Sequence, residues 1–174
     1  MTFKLVARNN GIFLGMILIV FSLVLSYVNP AVFLNTRSFI MLVPFFIILM
    51  KNAFDLRRIN DGVISFRDLF LYSLLCSVIA IILCTSFEYT LFNFFYPELK
   101  DVFRAVSIEA LEQSGTILGD DYKEKVLKNL EEEELYNFAQ IISLFFTRLI
   151  APGALLSAMA ALMFKKSKII TDNQ

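Results

Sequence analysis

Four long apolar stretches, each closed by a charged or helix-breaking segment, organise the 174-residue chain. A hydrocarbon core of about 30 Å takes about 20 apolar residues to cross as a helix. The first stretch, "GIFLGMILIVFSLVLSYV" from Gly11 to Val28, is uncharged and stops at Asn29-Pro30. Proline lacks an amide hydrogen and disfavours helix in the residue before it. The same pair can open the next helix, with Asn29 as its cap and Pro30 in its first turn. The second stretch is less clean. Phe39 to Met50 is too short to cross, so a span over about residues 31–50 draws Arg37 into the membrane. The third covers about residues 69–88 and leads into "EYTLFNFFYPE", where Tyr89 and Tyr96 suit an interface and Pro97 ends the helix. The fourth covers about residues 136–164 and is followed by "KKSK". The pattern predicts an all-α fold, an integral membrane four-helix bundle.

Residues 97–134, between the third and fourth spans, carry a different period. Leu99, Val102, Phe103, Val106 and Ala110 recur at helical spacing after Pro97. "SGTILGDD" breaks that pattern, and Asp120 or Asp121 can cap a second helix holding Val126, Leu127 and Leu130. The expected result is an outward-facing acidic helical hairpin within a single membrane domain. Its apolar stripes need burial against each other, the outer ends of the spans, or the headgroup layer. The tetrad Glu131 to Glu134 closes the hairpin. Successive residues point around a helix, so it reads as a solvated collar rather than a cation site.

Composition supports the bilayer and narrows the chemistry. The chain is 57 % hydrophobic and 18 % charged, with a mean hydropathy of +0.68, outside the range of ordinary soluble domains. Sixteen basic and sixteen acidic residues cancel, so no global basic field favours nucleic acid. There is no histidine, hence no common general base or metal ligand. The six glycines are scattered and form no phosphate-binding loop. Cys76 and Cys84 lack metal-site spacing and read as small apolar fillers. The expectation is a non-enzyme with no catalytic residues, no metal and no cofactor.

Lysine and arginine beside the spans set the orientation. Lys4 and Arg8, the loop with Lys51, Arg57, Arg58 and Arg67, and the tail with Lys165, Lys166 and Lys168 hold nine of the sixteen basic residues. Glu98 to Glu134 has eleven acidic residues against five basic. The basic segments, and both termini, are therefore expected in the cytoplasm. The first apolar run is longer than a usual signal core and no small-residue cleavage site follows it.

Several segments together carry a resemblance: the glycine-containing first span behind a short basic N-terminus, the loop "RRINDGVISFRDLF", the exit "FFYPE", the acidic hairpin, and a last span ending in "KK". Over nearly its whole length the chain resembles a bacterial membrane family catalogued as domain of unknown function 4199. The resemblance implies this architecture in a bacterial inner membrane and brings no activity, substrate or cofactor with it.

Charges within spans mark the places to look for function, because they have to pair, face the bundle or snorkel. At about 1.5 Å per residue from the inner edge, Arg148, Glu88 and Arg37 reach heights of about 25, 28 and 21 Å. All three fall in the outer third, so the candidate site is an intramembrane polar cluster of Arg37, Glu88 and Arg148. Asn35, Thr36, Asn93 and Thr147 are possible hydrogen-bond partners. Two arginines against one carboxylate leave a positive excess for an anionic ligand or a lipid phosphate; snorkelling of the arginines is the simpler reading. Pro152 removes the donor to the carbonyl of Arg148, which predicts a distorted helix there. Gly153, Ala154, Ser157, Ala158 and Ala161 form a small-residue face for close packing.

These features favour an envelope protein that binds membrane lipid or a partner membrane protein, with a homo-oligomer also possible. The other class is a small oligomeric transporter or channel subunit. The orientation is testable by cysteine labelling: Ser114→Cys is expected to react with an impermeant thiol reagent from outside and Gly62→Cys is not, and outside labelling of Gly62→Cys would invert the topology.

Overall fold

The computed structural model describes residues 3–28, 30–113, 128 and 136–165; the side chains of residues 3, 30–41, 110, 112, 113 and 151 lie outside that description. Helices α1 (Phe3–Val28), α2 (Pro30–Ile59) and α3 (Phe66–Thr90) come first, and α3 continues as a π-helical turn, Leu91–Phe95. A shorter helix α4 (Leu99–Gln113) follows. The last long rod is α5 (Phe138–Arg148), a π-helical turn (Leu149–Ala154) and α6 (Leu155–Phe164). No β-strand is present among the described residues.

Three rods, Lys4–Val28, Phe66–Phe95 and Phe138–Phe164, are long and apolar enough to cross a membrane. The expected second span lies within α2, a 30-residue helix that continues past Lys51 to Ile59. Pro44 sits inside it without ending it, although the ring removes one backbone donor. The third rod runs past the expected limit at residue 88 because Leu91–Phe95 winds on in the π register, with the Tyr96 amide donating to the Leu91 carbonyl at 2.7 Å. The second hairpin helix and the Glu131–Glu134 collar lie outside the described residues.

The turns follow from local chemistry. Asp61 and Gly62 both have positive φ, +54° and +78°, the left-handed geometry that ends a helix. The Gly62 amide donates to the Arg57 carbonyl at 2.9 Å, and Asn60 Nδ2 closes on the Leu56 carbonyl at 2.8 Å. Ser65 then caps α3, its hydroxyl oxygen accepting the Asp68 amide at 3.1 Å.

Two clusters fill the bundle. In one half, Leu14, Leu49, Ala53, Leu69, Tyr72 and Ala160 are buried together, and Phe54 meets Phe164 edge to face with ring centroids 6.0 Å apart. At the other end, Leu91, Phe92, Leu99, Tyr136 and Ile141 form a second cluster, with Leu25, Val102 and Phe103 packed on it. Leu99 of α4 is therefore buried against the ends of the long rods, with Val102 and Phe103 partly buried beside it, while Asp101, Ala105 and Glu109 on the opposite side are exposed.

Helix α1 lies along α3 and parallel to it. Gly11 faces Cys76 and Ile79, and Gly15, one turn on, faces Ala80 and Leu83. Missing side chains let the backbones close in, as in small-residue packing between membrane helices. A Cβ on Gly11 would lie 2.9 Å from the Cys76 carbonyl oxygen, whereas on Gly15 its nearest atom would be the flexible Leu83 Cδ1. Alanine in a helix normally gains about 1 kcal/mol over glycine. Here overpacking wins: Gly11→Ala is expected to lose about 1–3 kcal/mol and Gly15→Ala less, as read by thermal unfolding in detergent.

Candidate functional site

The buried face of α3 repeats every four residues: Tyr72, Cys76, Ala80, Cys84 and Glu88 form one row, with Ser73, Ser77, Ile81 and Thr85 beside it. Such a face would be wholly apolar in a helix stabilised by lipid contact alone. Here four of its ten buried residues, Ser73, Ser77, Thr85 and Glu88, are polar, and Glu88 near the C-terminal end of α3 is only 1 % exposed.

Arg148 answers that carboxylate from the end of α5. Its Nη2 donates to Glu88 Oε1 at 3.1 Å, and Nη1 stands 2.9 Å from Oε2. The second contact is an ion pair rather than a hydrogen bond. The arginine side chain keeps 22 % of its surface exposed, so its outer edge remains open to the surroundings. Cys84 Sγ lies 4.0 Å from Glu88 Oε1, at the limit of a sulfur contact. Both cysteines are buried thiols outside any disulfide; Cys76 is more than a filler, since its thiol donates to the Ala7 carbonyl at 3.3 Å.

Local structure fixes where Arg148 points. Asn137 caps α5 by accepting the Gln140 amide at 2.8 Å, and Gln140 Oε1 accepts the Tyr136 amide at 2.7 Å. Tyr136 has φ +60°, a costly conformation for a bulky residue that persists only where its surroundings enforce it. They do: its ring stacks on Phe92 at 3.7 Å between centroids, and its carbonyl accepts from Asn93 Nδ2 at 3.2 Å. Asn93 also accepts from Lys100 Nζ at 2.7 Å, tying α4 to the same corner. At the other end of α5, the chain passes Pro152 in a π turn. Its i→i+5 register skips the amide that proline lacks.

Of the three sequence-selected charges, the structure brings Glu88 and Arg148 together. Arg37 lies on α2, and its side chain is outside the described part, as are those of Asn35 and Thr36. Asn93 joins the Tyr136–Lys100 corner, and Thr147 donates to the Ser143 carbonyl on its own helix. Sequence reasoning missed a second polar layer. Ser77 Oγ and Ser157 Oγ are 3.2 Å apart between α3 and α6, and Asn10 Nδ2 donates to the Tyr72 hydroxyl between α1 and α3. The signal available was serine and asparagine inside apolar runs at the spacing of the buried face.

An all-α bundle of membrane-length apolar helices, crossed by a buried ion pair, is the architecture of an integral membrane protein. The chain belongs to the family described as Protein of unknown function (DUF4199), whose profile matches residues 9–166. No curated protein and no solved structure gives a significant match.

The pair also makes a quantitative expectation. Removing one partner of a buried ion pair leaves an uncompensated charge, a loss of about 3–5 kcal/mol, whereas replacing both is often close to neutral. Arg148→Gln leaves a carboxylate that is 1 % exposed without its cation and is expected in that range. Glu88→Gln leaves the guanidinium, whose side chain is 22 % exposed, and is expected to lower thermal stability less than Arg148→Gln. The double variant should recover part of the loss; additive losses would mean the two side chains do not interact.

Proposed function

We propose that this is a four-span inner-membrane protein of a bacterial envelope, with both termini and the basic loop in the cytoplasm, that works without catalysis by binding a partner membrane protein at its outer cap. The observation that carries this reading is the placement of α4. Its apolar stripe is spent on the bundle, through Leu99, Val102 and Phe103, so the side left exposed is polar and includes Asp101 and Glu109. A cap arranged this way does not sink into headgroups; it offers a charged surface above them. Asp101 is engaged only loosely, by Arg104 at 3.5 Å across one turn with the carboxylate 80 % exposed, and such surface pairs are worth little. That acidic face favours a basic partner segment over anionic lipid. Membrane lipid is the other candidate, reached through the open edge of Arg148 at the outer end of the bundle.

A second reading, a small oligomeric transporter or channel subunit, draws support from one feature. Ser22, Asn52, Ser73 and Thr85 are buried polar side chains, and such residues inside membranes often line pathways. Against it, the one carboxylate in the buried face of α3 is already held by an arginine.

Purification from native membranes in mild detergent separates these readings. Partner binding predicts a co-purifying membrane subunit that the charge reversal Asp101→Lys releases while the unfolding temperature holds. A subunit retained by the reversed variant, or a chain that purifies alone, refutes it. Solute flux in reconstituted vesicles that vanishes in Glu88→Gln would instead establish the transport reading.

A further inference from the structure

The exposed side of α2 changes character along its length. Val43 and Ile47, each 60 % exposed, and Phe54, 51 % exposed, lie on one stripe of the helix, since positions four and eleven apart share a face. At about 1.5 Å per residue the stripe from Val43 to Phe54 covers about 16 Å, close to half of a hydrocarbon core of about 30 Å. It has the length of one leaflet.

Cations gather at the Phe54 end. Lys51 and Arg58 stand one turn before and one turn after Phe54 on the same side of the helix, and both are exposed. The last rod brings a third cation: the Phe164 ring meets Phe54 with centroids 6.0 Å apart, and the next residue, Lys165, is exposed where α6 ends. Lys51 Nζ contacts Asp55 Oδ2 at 2.7 Å with 66 % of the lysine side chain exposed. Such a surface pair is worth little, and an ammonium keeps further donors beyond the one it spends there. Arg58 and Lys165 have no ion-pair partner among the described residues. Three cations against one carboxylate leave an excess of positive charge around an exposed aromatic ring.

A ligand matched to this surface is apolar over the depth of a leaflet and anionic at one end. A water-soluble acidic peptide meets the cations and leaves the stripe uncovered; an apolar helix covers the stripe and leaves the cations unanswered. A phospholipid with a net negative headgroup answers both. Phe54 then sits at the glycerol level, where aromatic rings are favoured, and the long basic side chains lay their stems on apolar surface while their heads reach phosphate oxygens. Basic groups between membrane helices at a headgroup layer are suited to acidic lipid headgroups.

We propose that α2 and the end of α6 form a binding site for an anionic phospholipid, its acyl chain along Val43 and Ile47 and its phosphate held by Lys51, Arg58 and Lys165. The site lies at the opposite end of the bundle from α4 and works independently of any partner at that cap.

Native mass spectrometry of the delipidated protein in detergent tests this, with phosphatidylglycerol and with phosphatidylcholine of the same chains, which carries no net charge. Phosphatidylglycerol is expected to bind more tightly, and its affinity to fall about fivefold in each of Lys51→Gln and Arg58→Gln. Arg8, also exposed, lies on α1, which packs on a different side of α3 from α6; Arg8→Gln is expected to bind like the wild type. Equal affinity for the two lipids overturns the proposal, and so does an equal loss in Arg8→Gln, the mark of a diffuse surface field. Excess glycerol phosphate is expected to leave the bound lipid in place. Release of the lipid by that headgroup fragment also overturns the proposal, because the α2 stripe then contributes nothing.

Discussion

A carboxylate in the interior of an apolar bundle needs a cation at contact distance, and meeting that need constrains much of this molecule. Glu88 reaches the interior because it continues the four-residue repeat of α3. Arg148 has to arrive at the same height from another rod, so α5 has to lie against α3 at a fixed depth and rotation. Depth is set at the start of α5, where the Asn137 cap and the strained, stacked Tyr136 fix the entry of the chain. Contact below the pair is set by Gly153, where a Cβ would lie 3.1 Å from Ile81 Cδ1, and by Ser157 against Ser77. The pair is thus the meeting point of an aromatic corner above and a small-residue seam below.

Those two regions hold the helices together by different means. Along the seams on α3, absent or small side chains allow backbones to approach: Gly11 and Gly15 of α1 against α3, Gly153 and Ser157 of the last rod against the same helix. Between lipid-facing helices there is little hydrophobic gain from association, so close contact and interhelical hydrogen bonds supply the stability. At the end of the bundle that carries α4, Phe92, Tyr136 and Phe103 stack and meet edge to face, and α4 is bound there through Leu99. Helix α3 serves both regions and is the axis of the bundle.

Much of this was legible because helical rise is uniform. A count of residues from the inner edge puts Glu88 and Arg148 at similar heights, and the chain brings them into contact. Helix positions were legible from hydrophobic run length and from proline and glycine breaks. The rotation of each rod was not. Within a bilayer both faces of a helix are apolar, so periodicity does not say which serines, Ser77 and Ser157 among them, turn inward. Pro152 signalled disturbance, but whether a helix answers proline by bending or by widening depends on its neighbours. The continuation of α3 past residue 90 was hidden for a related reason: "LFNFF" carries no marker that separates a π turn from a frayed end.

The π turn at Leu149–Ala154 has a geometric effect beyond accommodating a proline. In an uninterrupted α-helix each residue advances about 100°, so Arg148 and Ser157, nine positions apart, would project about 180° from each other. Both nevertheless meet α3, one through Glu88 and the other through Ser77. The wider turn between them absorbs the difference, working as a phase shifter between two segments written in incompatible registers. Chain length in this turn therefore sets the angle of everything after it, and adding or losing one residue there amounts to a rotation of α6.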